Sequence, residues 1–403
     1  MRTGQLRRVE IAGGGIGGLV AALAFARRGW RVRIHERHRS LRIEGFGISV
    51  FENGLRVLES LGVYEAAVAE ANWLRYRESR VEGANIRNRR VLKGQAYRIS
   101  RRLITQALAN AAADLGVELV FNSLVISADP AGALILEGGA RCEADLVIGA
   151  DGLNSRVRES LGIKRKVVTF DEGAMRFIVR REPSDISDEE ASTAVEWWSG
   201  TRRVIFSPCS KTEHYLALCC VESDIVGKQV PLDAQSWGRS FPAIAYVFDR
   251  ARNEVDWSRV QWANFASTYL SSWSEGRVAL VGDAAHAMPP NLGQGGSCAM
   301  MSALGLAVAV TEAATLEEGL RHWERTDRPI IDHTQRLSVI YHHITHMPTL
   351  LQSATLWTIN NIPLLRRQLA KTTAHWPTGA IDRDKARPLP MPEQYQSLTS
   401  KPQ

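Results

Sequence analysis

The sequence predicts an α/β protein in which a parallel-sheet lobe is interleaved along the chain with a second, β-sheet lobe and followed by a helical C-terminal region. Three observations carry that prediction. Near the start, the apolar segment Val9-Glu10-Ile11-Ala12 passes through a glycine turn into the Ala-rich stretch Leu19–Arg28 and then into the alternating segment Arg31–Glu36. A β-α-β pattern within about thirty residues is the unit from which parallel sheets are built. From Ala174 to Trp262 the character changes, with β-branched and aromatic residues gathered into short segments at 194–198, 203–206 and 214–220. Arg277–Gly282 then reads as a buried strand of the first kind, and the text from Thr311 onward is mainly helical.

Each element has its local reason. Leu19–Arg28 has helical spacing and ends where Gly29 can take the left-handed stop position. Asn53–Leu61 and Arg101–Leu115 read as amphipathic helices, Val117–Phe121 and Ala133–Glu137 as strands, and Asp145–Asp151 as a buried apolar run. The expected division is 1–72 and 98–173 in the first lobe, 73–97 as a segment crossing into the second, and 174–264 as the second lobe itself. Residues 265–320 return to the first lobe, 321–381 form C-terminal helices, and 382–403, with four prolines, form a loosely ordered tail.

At 403 residues the chain exceeds what one core usually organises, and 45% hydrophobic with 23% charged residues excludes coiled coil, collagen and wholesale disorder. The formal charge of +7 comes from 42 Arg and 8 Lys against 43 acidic residues, and the cations are spread rather than run together. Forked guanidinium groups suit anionic small molecules, and no motif supports nucleic acid. Five cysteines without a CxxC pair point to reduced thiols and a cytoplasmic location. The charge-free stretches Ala284–Thr311 and Leu337–Leu365 are interrupted by prolines, so neither reads as a membrane helix, and the apolar run at Val9–Ala12 is too short for an export signal.

The glycine cluster contains Gly13-x-Gly15-x-x-Gly18 between strand and helix, with Glu36 at the end of the next strand. Gly13 makes the tight turn, Gly15 lets a pyrophosphate approach the backbone, Gly18 lets helix and strand pack closely, and Glu36 is placed to accept hydrogen bonds from a ribose. This is a Rossmann-type dinucleotide fingerprint. Two further segments, Asp151-Gly152-Leu-Asn-Ser155-Arg156-Val-Arg158 and Gly282-Asp283 through Pro290, Gly293, Gly295 and Gly296, resemble the DG and GD motifs of the class A flavoprotein aromatic hydroxylases, the p-hydroxybenzoate hydroxylase fold.

The resemblance implies a Rossmann-type FAD-binding domain interleaved with a β-sheet substrate domain. It places Asp283 on the flavin ribityl chain, with a helix cap as the lesser alternative. It brings Pro290–Gly296 as bare backbone to the flavin ring, and Asp151 near FAD and the nicotinamide donor, with an ordinary helix start as the alternative. Arg101 falls on an arginine reaching the FAD phosphates, with Arg102 an equally good register, and Arg42 is a further candidate. Ile16, Arg37 and Leu124 complete the cofactor set. His286 is left out as a structural histidine.

Over most of its length the chain is similar to the oxygenases of hydroxypyridine carboxylic acids within that family. By that resemblance Arg203 and Tyr215 fall on substrate-pocket residues, Arg203 meeting an anionic group and Tyr215 orienting the ring, against a surface arginine and a core tyrosine as alternatives. Ser49, Tyr76 and Pro289 complete the expected pocket, Ser49 and Pro289 differing from the pyridine enzymes. The implied activity is an FAD-dependent monooxygenase in which NADH or NADPH reduces the flavin and O2 adds at C4a to oxygenate a small hydroxylated aromatic acid. A 3-hydroxypyridine carboxylate is expected, with ring opening as an extension. A salicylate or hydroxybenzoate hydroxylase, an NAD(P)-dependent dehydrogenase and a non-enzymatic ligand-binding protein are the alternatives. Neither nucleic acid nor membrane is expected as a partner, and homo-oligomer formation is left open.

Overall fold

The computed structural model describes residues 7–42, 47–82, 87–182, 185, 188–348, 351, 354–355, 358–359 and 361–391. The first lobe is built on a six-stranded sheet in the order Ser274–Glu275, Val278–Leu280, Leu146–Gly149, Arg8–Ala12, Arg31–His35, Glu118–Val120. All pairs are parallel except the edge pair Ser274–Glu275 with Val278–Leu280. Strands from three distant stretches of sequence therefore complete one sheet, the outcome expected from the buried runs at 145–151 and 277–282.

Helix Ile16–Ala26 buries every residue from Gly18 to Phe25. It lies between helices Arg101–Asp114 and Gly295–Glu312, which explains why it is apolar all round. Gly295–Glu312 is long and apolar enough to cross a membrane by length and composition, and 78% of it is buried inside the protein. It is a core helix, packed also against the 30-residue helix Leu316–Thr345.

The second lobe is a seven-stranded sheet in the order Ala263–Leu270, Arg165–Arg180, Glu213–Val221, Arg202–Pro208, Thr193–Ser199, Tyr76–Val81, Arg87–Val91. Strand alternation divides its two faces. Val204, Phe206, Leu216 and Leu218 turn toward a core with Trp237, Phe241 and Phe248. Trp237 and Phe248 come from helices Ala234–Ser240 and Ala245–Glu254, and Phe241 from the link between them, inside the stretch whose composition reads as sheet. Ile205, Tyr215, Ala217 and Cys219 face the opposite way, into a cleft between the lobes. A small sheet, Gly47–Phe51, Ala96–Ser100 and Asn72–Trp73, supplies another wall, with Ser49 opposite Arg98 in register.

The C-terminal segment is better anchored than its prolines suggest. The carbonyls of Arg387, Leu389 and Pro390 accept hydrogen bonds from Arg56, Gln95 and Tyr64, and Leu389 is buried. Residues 392–403 of the expected tail lie outside the described residues.

Candidate active site

The cleft encloses about 480 Å³ and is lined by all three motif segments together with the cleft-facing side of the seven-stranded sheet. Gly15, Ile16, Arg101, Gly152, Asp283, Pro290, Gly293, Gly295 and Gly296 all reach its wall. The glycines of the fingerprint divide into two kinds. A side chain at Gly13, where φ is +101°, would overlap the Ala150 carbonyl, and one at Gly18 would overlap the Gly13 carbonyl, so these two allow strand and helix to touch. A Cβ at Gly15 would meet nothing within 4 Å, which leaves the N-terminus of helix Ile16–Ala26 open to a phosphate.

The donors and acceptors present fit FAD. Glu36 is buried at the end of the second strand, held by the amides of Gly14 and His38 at 3.0 Å each. Asp283 begins a short helix and its side chain opens to the cleft, while the enclosing protein pushes its pKa up against the opposing pull of Arg101 and Arg176. Burial likewise lowers the pKa of Arg101, as does Arg42 nearby. Arg37 and Arg42 are exposed and Leu124 is half-buried, and none of the three lines the cleft.

One oxygen of Asp151 takes the helix-start role: its Oδ2 accepts from the amides of Arg156 and Val157 at 2.8 and 3.1 Å, while Oδ1 is buried with no hydrogen-bond partner among the described residues. Arg158 joins the two motifs, donating to the carbonyls of Ala284 at 3.1 Å and Leu153 at 2.7 Å. His286 is buried and hydrogen-bonded to Ser302, and burial lowers its pKa to about 4, so it is a neutral structural residue.

On the sheet side, Ser49, Arg203 and Tyr215 line the cleft, whereas Tyr76 and Pro289 do not. Alternation along Tyr76–Val81 turns Arg77 into the cleft and leaves Tyr76 on the other face, under the Arg89 guanidinium at 3.9 Å. Pro289 is buried between the cleft residues Met288 and Pro290. Arg203 is only 2% exposed, and both its terminal nitrogens are engaged. Nη1 pairs with Glu196 at 3.0 Å, while Nη2 pairs with Glu172 at 2.9 Å and donates to Asn291 Oδ1 at 2.8 Å. An arginine expected to hold a substrate anion is thus already held by two protein carboxylates.

The same network ties the lobes together. Arg77 donates to Glu196 at 3.1 Å and to the Asn291 carbonyl at 3.0 Å, so residue 291 is grasped through side chain and backbone. Asn291 lies in the Pro290–Leu292 turn, between the GD aspartate and the glycines Gly293–Gly296. Sequence reasoning missed Glu172, Glu196, Asn291 and Arg77, and it also missed Arg98, a buried arginine in the cleft wall. Alternation in Arg-Val-Leu…Ala-Tyr-Arg-Ile-Ser could have flagged Arg98 as an inward-facing charge opposite buried Tyr97 and Ile99.

The chain matches the family described as FAD binding domain over residues 7–334. It is 39% identical over 360 residues to the 2-heptyl-3-hydroxy-4(1H)-quinolone synthase of Mycobacteroides abscessus, covering 86% of this chain and 93% of that protein. It is 28% identical over 316 residues to the 6-hydroxynicotinate 3-monooxygenase of Bordetella bronchiseptica, covering 73% and 80% respectively. Among solved structures, the tetrameric form of 2-methyl-3-hydroxypyridine-5-carboxylic acid oxygenase superposes with a TM-score of 0.84 at 34% identity, covering 94% of this chain and 99% of that one.

Proposed function

Because the chain belongs to the FAD-binding domain family and is an FAD-dependent monooxygenase of the aromatic-hydroxylase type, we propose that its substrate is an oxygen-bearing N-heteroaromatic ring of the quinolone class, with NADH or NADPH as electron donor. The observation that carries the quinolone class is the saturation of Arg203 by Glu172 and Glu196, which removes the expected partner of a substrate carboxylate. The wall around it is mostly apolar, with Ile48, Leu74, Val195, Ile205, Phe265 and Leu292, and suits a fused or alkyl-bearing ring. The quinolone synthase named above shares more sequence with this chain than the pyridine oxygenase structure does, 39% against 34%.

When bound, FAD supplies the activation of O2. The chain's own residues bind, orient and exclude water. Gly13, Gly15, Ile16 and Gly18 form the pyrophosphate turn, Glu36 takes the ribose, Arg101 the phosphates, and Asp283 the ribityl hydroxyls. Pro290 and Gly293–Gly296 offer backbone to the ring, and the N-terminus of helix Gly295–Glu312 favours negative charge there. Tyr215, held near Arg176 and with its pKa raised by burial, remains a neutral phenol that orients the substrate ring. The apolar wall keeps water away from the reacting oxygen.

A hydroxypyridine carboxylate is the second reading, supported by the 0.84 superposition. The five free cysteines support a cytoplasmic location, and the tetrameric form of the pyridine oxygenase supports a homo-oligomer. The test is a stopped-flow panel of 2-alkyl-4(1H)-quinolones, hydroxypyridine carboxylates and hydroxybenzoates, scored by acceleration of flavin reduction and by oxygenated product. Quinolones should accelerate most. Turnover confined to the carboxylates would overturn the quinolone reading.

A further inference from the structure

We propose that Arg98 forms the subsite for an anionic ring oxygen of the substrate, a quinolinolate, pyridinolate or phenolate. The inference rests on the reading of this cleft as the substrate site of a flavin monooxygenase. It begins with strand Ala96–Ser100, where Tyr97 and Ile99 turn into the core at 0% exposure and Arg98 turns to the opposite side, into the cleft wall. Arg98 is 8% exposed, its Nε is buried without a partner, and among the described residues no hydrogen bond or ion pair reaches its guanidinium. A buried charge without a counter-ion is costly, and such groups persist where a ligand completes them.

Among the described residues the surroundings supply no anion. The ring of Tyr215 lies under the guanidinium at 4.9 Å, and burial keeps both that phenol and the Cys209 thiol neutral, the latter with its pKa pushed up to about 12. The other charged neighbour, Arg77, is itself a cation and is paired with Glu196. Arg98 is also held in place: a Cβ at Gly47 would lie 3.0 Å from both Arg98 Cδ and Tyr215 Cβ, so the arginine stem fills the space that glycine leaves. A fixed cation with no counter-ion among the described residues, stacked on the tyrosine expected to orient the ring, is a receptor for an oxyanion.

The chemistry gives that oxyanion a use. Aromatic hydroxylation requires an electron-rich ring, and loss of the proton from a ring hydroxyl, or from the N–H of its quinolone tautomer, raises electron density in the ring. A guanidinium at the oxygen stabilises that deprotonated form, and the released proton passes to solvent. The ring oxygen, rather than a carboxylate, then becomes the recognised group, and rings lacking it are rejected because Arg98 would remain unpaired.

The experiment uses the FAD-loaded full chain as wild type, Arg98→Gln and Arg98→Lys. Affinities for 4(1H)-quinolone against quinoline, 3-hydroxypyridine against pyridine, and salicylate against benzoate are read from the flavin absorbance change. Wild type should prefer the oxygenated member of the preferred pair by tenfold or more, Arg98→Gln should erase that preference, and Arg98→Lys should restore part of it. The bound oxygenated ring should show its anionic absorption band at a pH where the free ligand is neutral, in wild type and not in Arg98→Gln. Without ligand, Arg98→Gln should melt at or above the wild-type temperature, since a purely structural arginine would lower it. Preference retained in Arg98→Gln, no preference for any oxygenated ring in wild type, or a lowered melting temperature each overturns the proposal. Arg98-dependent preference for 3-hydroxypyridine or salicylate with no binding of 4(1H)-quinolone would sink the quinolone reading alone and leave this one standing.

Discussion

Replacing Arg203 by alanine separates two accounts of the same residue. As a substrate clamp it would be dispensable to the fold, and its loss would appear as a raised substrate constant. As the centre of a buried network it leaves Glu172 and Glu196, both at most 3% exposed, without their shared cation, and releases Asn291. Breaking a buried pair by removing one partner costs about 3–5 kcal/mol. His342 still lies 3.0 Å from Glu172 and Arg77 still holds Glu196, so the lower end, about 3 kcal/mol, is the expected loss at pH 7. The pH dependence has a definite sign. Burial raises the pKa of Glu172, but Arg203 and then His342 outweigh it and hold the carboxyl below its usual range. In wild type its stabilisation is therefore present above the unfolded pKa and lost as pH falls through the lower folded value. Without Arg203 burial prevails, protonation relieves the stranded carboxylate, and the gap between variant and wild type should narrow from pH 7 to pH 5. Urea unfolding followed by tryptophan fluorescence at both pH values measures this. An unchanged midpoint at pH 7 with a tenfold weaker substrate constant would refute the network account and return Arg203 to the substrate.

Three further changes probe two other parts of the site and the core helix behind it. A Cβ at Gly15 meets nothing within 4 Å, so Gly15→Val should fold, but its side chain enters the pyrophosphate path and FAD affinity should fall roughly ten- to hundredfold; full flavin occupancy after purification would sink the fingerprint assignment. Tyr215→Phe removes a hydroxyl beside Arg176 and should mainly uncouple, giving more H2O2 per NAD(P)H oxidised with a small change in binding; wild-type coupling would move ring orientation elsewhere. Asp327 is buried beneath Gly305 with Oδ2 unpartnered, and burial raises its pKa to about 6, so its ionisation lowers stability as pH rises from about 4 to that value. Asp327→Asn keeps the Thr378 hydrogen bond and should stabilise the protein by about 2 kcal/mol at pH 7.5 but little at pH 4, as read by thermal melts.

Backbone-level features were legible because they are written in local sequence. The turn Gly13–Gly18 and the strands at 203–206 and 214–220 follow from glycine placement and period-2 alternation, and their counterparts in the structure lie within a few residues of the expected bounds. The two helices within 234–254 were hidden because Trp237 and Phe248, which they turn into the core, are aromatic residues whose type favours a strand. Tyr76 failed for a different reason. A one-residue shift along a strand moves a side chain to the opposite face, and no local signal decides which of Tyr76 and Arg77 faces the cleft.

Charge partners are the part that sequence could not supply. Arg203 and Arg98 look alike in the sequence, each an arginine in an apolar strand, yet the fold gives one of them two carboxylates from residues 7 and 31 positions away and, among the described residues, gives the other none. Which arginine is free for a ligand is decided by sheet order: Thr193–Ser199 lies beside Arg202–Pro208 and delivers Glu196, while Glu172 arrives from the strand beyond Glu213–Val221. Ala96–Ser100 has for neighbours only Gly47–Phe51 and Asn72–Trp73, whose residues opposite Arg98 are Ser49 and Asn72. Neither carries a charge. Non-local strand pairing thus neutralises the arginine at 203 and leaves the one at 98 to whatever enters the cleft, so the ligand's charge is selected by topology rather than by any motif.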